Sequence, residues 1–154
     1  MEVVRLDDAA TFLEGAEPLL LADEARHNLI LGIAGTIRDA PDRYALRNLW
    51  LVLDAGQVVG AALRTPPYNL ILARPQSSDA LAALADAVAT EELPGVVGGE
   101  PEVHEFAGLW CRQTNARSRT SMRQGVYALE QVEPLAAAPG AARVGTDDDF
   151  DLLL

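Results

Sequence analysis

Leu49-Trp50-Leu51-Val52-Leu53-Asp54-Ala55-Gly56-Gln57, continuing from Val58 to Arg64, is the stretch whose reading decides the fold. Leu49 to Leu53 is a continuous apolar run, short enough to be a strand. Asp54-Ala55-Gly56-Gln57 has the composition of a hairpin turn, so Gln57 to Arg64 reads as the returning strand. Thr65-Pro66-Pro67 breaks the chain, Tyr68 to Ala73 reads as a third strand, and Pro75 closes it.

Toward the amino end, Val3 to Leu6 reads as a strand, and Asp7 or Asp8 can cap the helix that follows. Phe12, Leu13, Ala16, Leu19 and Leu20 recur at helical spacing. Pro18 has no N–H to give, which predicts a break or kink near Glu17. Asp23 restarts a helix with Leu29, Ile33 and Ile37 on one face. Gly32 and Gly35 beside that face would let a neighbour pack closely, and Pro41-Asp42 ends the helix.

Toward the carboxyl end, Leu81, Leu84, Ala85 and Val88 form a helical stripe capped by Ser77, Ser78 or Asp79 and ended by Leu93-Pro94-Gly95. Val96-Val97 is a very short strand. Val103, Phe106, Ala107 and Trp110 mark another amphipathic helix. Thr120 to Gln131 reads as the last long strand, with Met122, Gln124, Val126 and Ala128 facing one way and Tyr127 and Leu129 the other.

A chain of 154 residues can bury a substantial core. With 12 Lys and Arg against 23 Asp and Glu, its net charge is −11. Phosphate binding needs clustered basic residues, so no nucleic-acid partner is expected. The single cysteine, Cys111, forms no internal disulfide and fits a cytoplasmic location. The first residues lack the basic start and apolar centre of a signal peptide, and no apolar run reaches membrane-spanning length, so no membrane partner is expected. Residues 1–133 are expected to form one domain. Residues 134–140, rich in Ala and Pro, read as a linker, and 141–154 as the start of a truncated second domain. Arg5 and Phe12 recur as Arg143 and Phe150 at one common offset, each pair spanning a strand, an acidic cap and a helix start.

The order of elements resembles the GNAT N-acetyltransferase fold, an α/β (α+β) architecture with a mixed, mostly antiparallel sheet and helices on both faces. Three stretches are similar to the amino-terminal half of bacterial two-domain GNAT proteins: Ala22-Asp23-Glu24-Ala25-Arg26-His27-Asn28-Leu29, Gly60 to Asn69, and Met122 to Tyr127. The resemblance covers roughly residues 1 to 135 and implies acetyl transfer from acetyl-CoA to an amine, with a second GNAT domain following. It places the cofactor at the end of the third strand, Leu72 and Ala73, and at the turn Gln76, Ser77 and Ser78, where backbone N–H groups at a helix start would meet the pyrophosphate. Gln76 matches the family pattern. Asp79 and Leu81 stand where the pattern has small residues that let phosphate approach the backbone. An aspartate there opposes a pyrophosphate by about 1 kcal/mol or more. Two readings stand side by side: a capped helix with Leu81 in the core, or an altered CoA site. The resemblance also implies that any surviving pocket lies between Leu70–Ala73 and Val96–Gly98, where two parallel strands would splay.

No catalytic residue is assigned. Tyr127 reads as a packed or surface aromatic, and His27 as a helix-surface or inter-helix hydrogen-bonding group. His104 between Glu102 and Glu105 lacks a second histidine, so no metal site is expected. Cys111 reads as a small apolar side chain. Arg112, Arg117, Arg119 and Arg123 form the local concentration of positive charge and could receive an anion or an acidic partner face. The expected function is thus a GNAT-type domain that does not itself bind acetyl-CoA. The alternative is a small-ligand-binding or dimerisation module using the former cofactor cleft. The expected partners are a second copy or a second GNAT domain, with the amine substrate unassigned.

Overall fold

The structure is a computed structural model that describes residues 1–133 and 140–152. Among the described residues, five strands form one mixed sheet in sequence order: β1 (Glu2–Leu6), β2 (Asn48–Asp54), β3 (Gln57–Arg64), β4 (Leu70–Leu72) and β5 (Val96–Val97). The first four pair antiparallel, and β4 pairs β5 parallel. Helices α1 (Ala9–Leu21) and α2 (Glu24–Asp39) connect β1 to β2. Helix α3 (Ser78–Ala87) connects β4 to β5, and α4 (Glu100–Thr114) follows β5. The fold is α+β. Among the described residues, no helix is long and apolar enough to cross a membrane.

The continuous apolar run of β2 is explained by two cores. Successive strand residues point to opposite faces. Leu49 and Leu51 of β2, with Ala61 and Leu63 of β3, pack under α1 and α2. Trp50 and Val52, with Val59 and Ala62, pack under α3 and α4. A strand covered on both faces needs apolar residues at every position. The hairpin turn is two residues long. Asp54 faces Gln57, and Ala55 and Gly56 have φ of 47° and 83°. Two positive φ values suit the right-handed twist of the flanking strands. A register shift after Val52 lets Gly60 face Val52 while Val58 faces Leu53.

Asp8 caps α1, accepting from Thr11 N at 2.7 Å, and Asp23 caps α2, accepting from Arg26 N at 3.3 Å. Four local expectations need correction. Helix α1 runs unbroken through Pro18. Pro18 and Glu14, whose carbonyl loses its donor, are both exposed, so water can replace the missing bond. Helix α2 buries His27, Ile30, Ala34 and Ile37, and Ile33 packs partly against that core, but Leu29 of the expected face is exposed; a Cβ added at Gly32 or Gly35 would meet nothing within 4 Å. The third strand is shorter than expected because Tyr68 lies in a turn: its N–H donates to Thr65 O and its carbonyl accepts from Arg64 Nε, both at 3.0 Å. Helix α3 stops at Ala87, well before Leu93-Pro94-Gly95, as turns take over at Val88 to Glu91.

The largest correction concerns Thr120 to Gln131. This stretch pairs with no strand among the described residues and is exposed throughout. The expected linker falls mostly on residues 134–139, outside the described residues. Beyond it, Arg143 and Val144 are not in a strand, and Asp147–Leu152 form a 3-10 helix. The Arg143 guanidinium and Thr146 N–H hold the Asp149 carboxyl down at about 2.

Candidate functional site

The turn between β4 and α3 is held from inside. Ala73 N donates to Ala61 O at 2.9 Å, Arg74 N to His27 Nε2 at 2.9 Å, and Gln76 N to Val59 O at 2.8 Å. The Gln76 N–H is therefore committed to the sheet. Leu72 and Ala73 are buried, one in each core. Ser77 is the N-cap of α3, yet its hydroxyl makes no cap bond, and Oγ is buried without a partner. Ser78 opens the helix and is exposed, with Asp79 beside it in the first turn. Leu81 is 3% exposed and lies in the second core, away from the mouth of the turn. Of its two departures from the small-residue pattern, only Asp79 faces outward.

His27 ties three elements together. It is 4% exposed. The Arg74 N–H donates to Nε2, so the other nitrogen, Nδ1, carries the proton and donates to Leu20 O at 2.8 Å. Both ring nitrogens are engaged, which leaves no lone pair for a base and gives the imidazole an architectural role. Beside it lies an open hollow of about 730 Å3 lined by Leu19, Asp23, His27, Gln57, Arg74 and Gln76.

The expected cleft between β4 and β5 is not found. Leu70 faces Val96 and Ile71 faces Val97, and Leu70 N donates to Gly95 O at 3.0 Å. The strands are still close at the next residue: a side chain on Gly98 would lie 3.1 Å from Leu72 O. Where β5 then turns into α4, the space is filled by an ion pair. Arg26 Nη2 donates to Glu102 Oε2 at 2.7 Å, and Arg74 Nε stands 3.9 Å from Glu102 Oε1. The Arg26 guanidinium rests directly on Gly99, where any side chain would overlap it. Asp79, in the first turn of α3, places a negative charge at the helix start.

Sequence reasoning missed this pair because 76 positions separate its members. It also missed a polar network at the opposite end of the strands. Asn48 accepts from Arg5 Nη2 at 2.5 Å, and Glu91 stands within 3.9 Å of Arg5 Nη1 and 3.6 Å of the buried Arg64. Charged residues at the ends of otherwise apolar strands were the available signal.

The other candidates are dispersed. His104 Nε2 lies 3.5 Å from Thr120 Oγ1. Cys111 is half-buried. Among the described residues, no group of three or more His, Cys, Asp or Glu side chains could hold a metal. Arg123 pairs with Glu100 at 3.0 Å, while Arg117 and Arg119 border a hollow along α4. Tyr127 is fully open to solvent. Compared with protein-family models, curated proteins and solved structures, the chain matches none. Its class therefore rests on its own architecture: an α+β domain with one five-stranded mixed sheet between two helix pairs.

Proposed function

We propose that this chain is a GNAT-type domain, corresponding to the amino-terminal half of a two-domain N-acetyltransferase, that acts as scaffold and does not bind acetyl-CoA. The support for the fold is the order of elements: two helices after the first strand, an antiparallel run of four strands, a helix, then a parallel fifth strand. The observation that carries the functional reading is the filled space beyond Gly98. The Arg26–Glu102 pair and the closely paired β4 and β5 occupy the route a pantetheine arm would need. Amine acetylation would then belong to a partner domain, either a second GNAT-like unit or a second copy, with this chain supplying a wall or a docking face.

The test is thermal unfolding with acetyl-CoA and with CoA. A ligand bound only by the native state at a hundred times its Kd stabilises by about 2.7 kcal/mol, which is easily seen. No change in Tm is expected at saturating ligand for ordinary cofactor affinities. A saturable rise, or acetyl transfer by the isolated chain, overturns the reading. The hollow beside His27 favours a second reading, a small-ligand module whose ligand meets Arg74 and Gln76. A saturable rise in Tm with a small anionic compound, abolished by Arg74→Ala, would replace the scaffold reading with that one.

A further inference from the structure

Helix α4 ends at Asn115, whose left-handed backbone (φ 54°) turns the chain back. The returning stretch is pinned at its far end, where Arg123 pairs with Glu100 at 3.0 Å. On the way, Thr120 Oγ1 lies 3.5 Å from His104 Nε2. The 15 residues of α4 span roughly 22 Å at a helical rise. The chain from Asn115 to Arg123 can reach about 26 Å when extended, so the return covers the helix in one pass. Residues 117–124 all border the hollow that opens between this return and α4.

The hollow holds about 670 Å3, within the ordinary range of small-molecule pockets. Its floor is apolar: Val103, Phe106, Ala107 and Trp110 recur at helical spacing on α4, with Leu93 and Val96 beside them. Trp110 gives its one donor to Val88 O at 3.1 Å, so its ring offers the hollow only carbon. The rim is cationic. Of the Lys, Arg, Asp and Glu side chains that border the hollow, three are arginines, Arg117, Arg119 and Arg123, and one is a carboxylate, Glu100. Arg123 already takes Glu100. Among the described residues, Arg117 and Arg119 make no ion pair. Two unmatched guanidiniums thus stand over an apolar floor, in a chain whose net charge is −11.

This pairing of charge and surface selects the occupant. A guanidinium presents a planar fork of donors that grips an anionic oxygen group through two hydrogen bonds. A neutral apolar molecule would leave both arginines unused, an inorganic anion would leave the floor wet, and a cation would be repelled. Residues 117–124 roof the hollow against a helix or a strand, so the occupant is small. We propose that the hollow between α4 and residues 117–124 binds a small organic anion, its head on Arg117 and Arg119 and its apolar body on Val103, Ala107 and Trp110. This goes beyond the scaffold reading and does not rest on it. The hollow shares no residue with the β4–α3 turn or with the hollow beside His27.

Calorimetric titration of the full chain with naphthalene-2-carboxylate tests the proposal. Saturable binding of one molecule per chain is expected, with amide NMR shifts gathered on Val103 to Trp110 and Arg117 to Arg123. Acetate has the head without the body, and 2-naphthylmethylammonium has the body with the opposite charge. Each is expected to bind at least about tenfold more weakly. Arg117→Ala with Arg119→Ala is expected to weaken the carboxylate at least about tenfold while circular dichroism and Tm stay unchanged. Ala107→Trp, which fills the floor and keeps both arginines, is expected to abolish binding. Arg43→Ala, at an arginine outside the hollow, is expected to change nothing. No saturable binding, whether the hollow is empty or covered by a second copy, would overturn the proposal. So would equal binding of the ammonium compound, an affinity unmoved by loss of both arginines, or shifts centred on Arg74 and Gln76.

Discussion

The hairpin of β2 and β3 and the segment from Thr120 to Gln131 carry the same signal in sequence and meet opposite fates. Both carry apolar residues that alternate or run together over strand length. Leu49 to Leu53 has β1 on one side and β3 on the other, with helices over both faces. Thr120 to Gln131 has no strand beside it among the described residues. Strand propensity measures fit to a pleated, half-buried surface, not an intrinsic backbone preference. A segment with that propensity and no neighbour remains an exposed arm.

Truncation should break or uphold this contrast most visibly. Leu63→Ala, at a fully buried site in β3, is expected to cost about 2–5 kcal/mol. Leu129→Ala in the arm is expected to change the stability of dilute protein by less than about 0.5 kcal/mol. Urea denaturation of the two variants measures both. A large loss from Leu129→Ala in dilute protein would mean that the arm packs on its own body.

The next effect sharpens how the body holds itself. His27→Ala strips the Arg74 N–H of its acceptor and removes one donor from Leu20 O, which still accepts from Asp23 N. Leaving such a donor unpaired is expected to cost about 1–3 kcal/mol. Losses confined to local exchange around Arg74, with global stability unchanged, would contradict the role given to this histidine.

A smaller effect of opposite sign is expected at the hairpin. Ala55 sits at φ 47°, where a side chain other than Asn or Asp is disfavoured. Ala55→Asn is expected to raise stability by roughly 0.5–1 kcal/mol, read as an increase in urea midpoint. The equivalent change in the arm has no turn to improve.

The smallest effect is a pH dependence. Hydrogen bonds from Thr11 lower the Asp8 carboxyl below its ordinary value of 3.8. A carboxyl lowered by folding stabilises above its unfolded value and loses that contribution as pH falls through the folded one. The stability difference between wild type and Asp8→Ala is therefore expected to be full at neutral pH and to shrink below pH 3.8. Asp149, lowered to about 2 by Arg143, lies beyond the arm, and Asp149→Ala is expected to leave the unfolding midpoint of the body unmoved.

Local chemistry made much of the body legible. The Asp54-to-Gln57 turn, the caps at Asp8 and Asp23, the helical stripe of Leu81 and Leu84, and the two-residue strand at Val96 could all be read from nearest neighbours. Pro18 misled because its effect depends on whether the freed carbonyl meets water, which sequence does not state. The buried face of α2 misled because faces of comparable apolarity lie one residue apart. Thr120 to Gln131 misled because pairing is a property of two segments. At the candidate site, the position of the Gln76-to-Leu81 turn was legible from its place between strand and helix. The inward bond of Gln76 N–H and the ion pair of Arg26 with Glu102 were not, since both depend on residues brought from far along the chain.

Hydrogen exchange at several protein concentrations tests the central contrast most directly. Amides of β2 and β3 are expected to be protected at every concentration, and those of residues 125–132 to exchange freely in dilute protein. Protection of the arm amides in dilute protein would show that the segment is paired within its own sheet, and the contrast would fail.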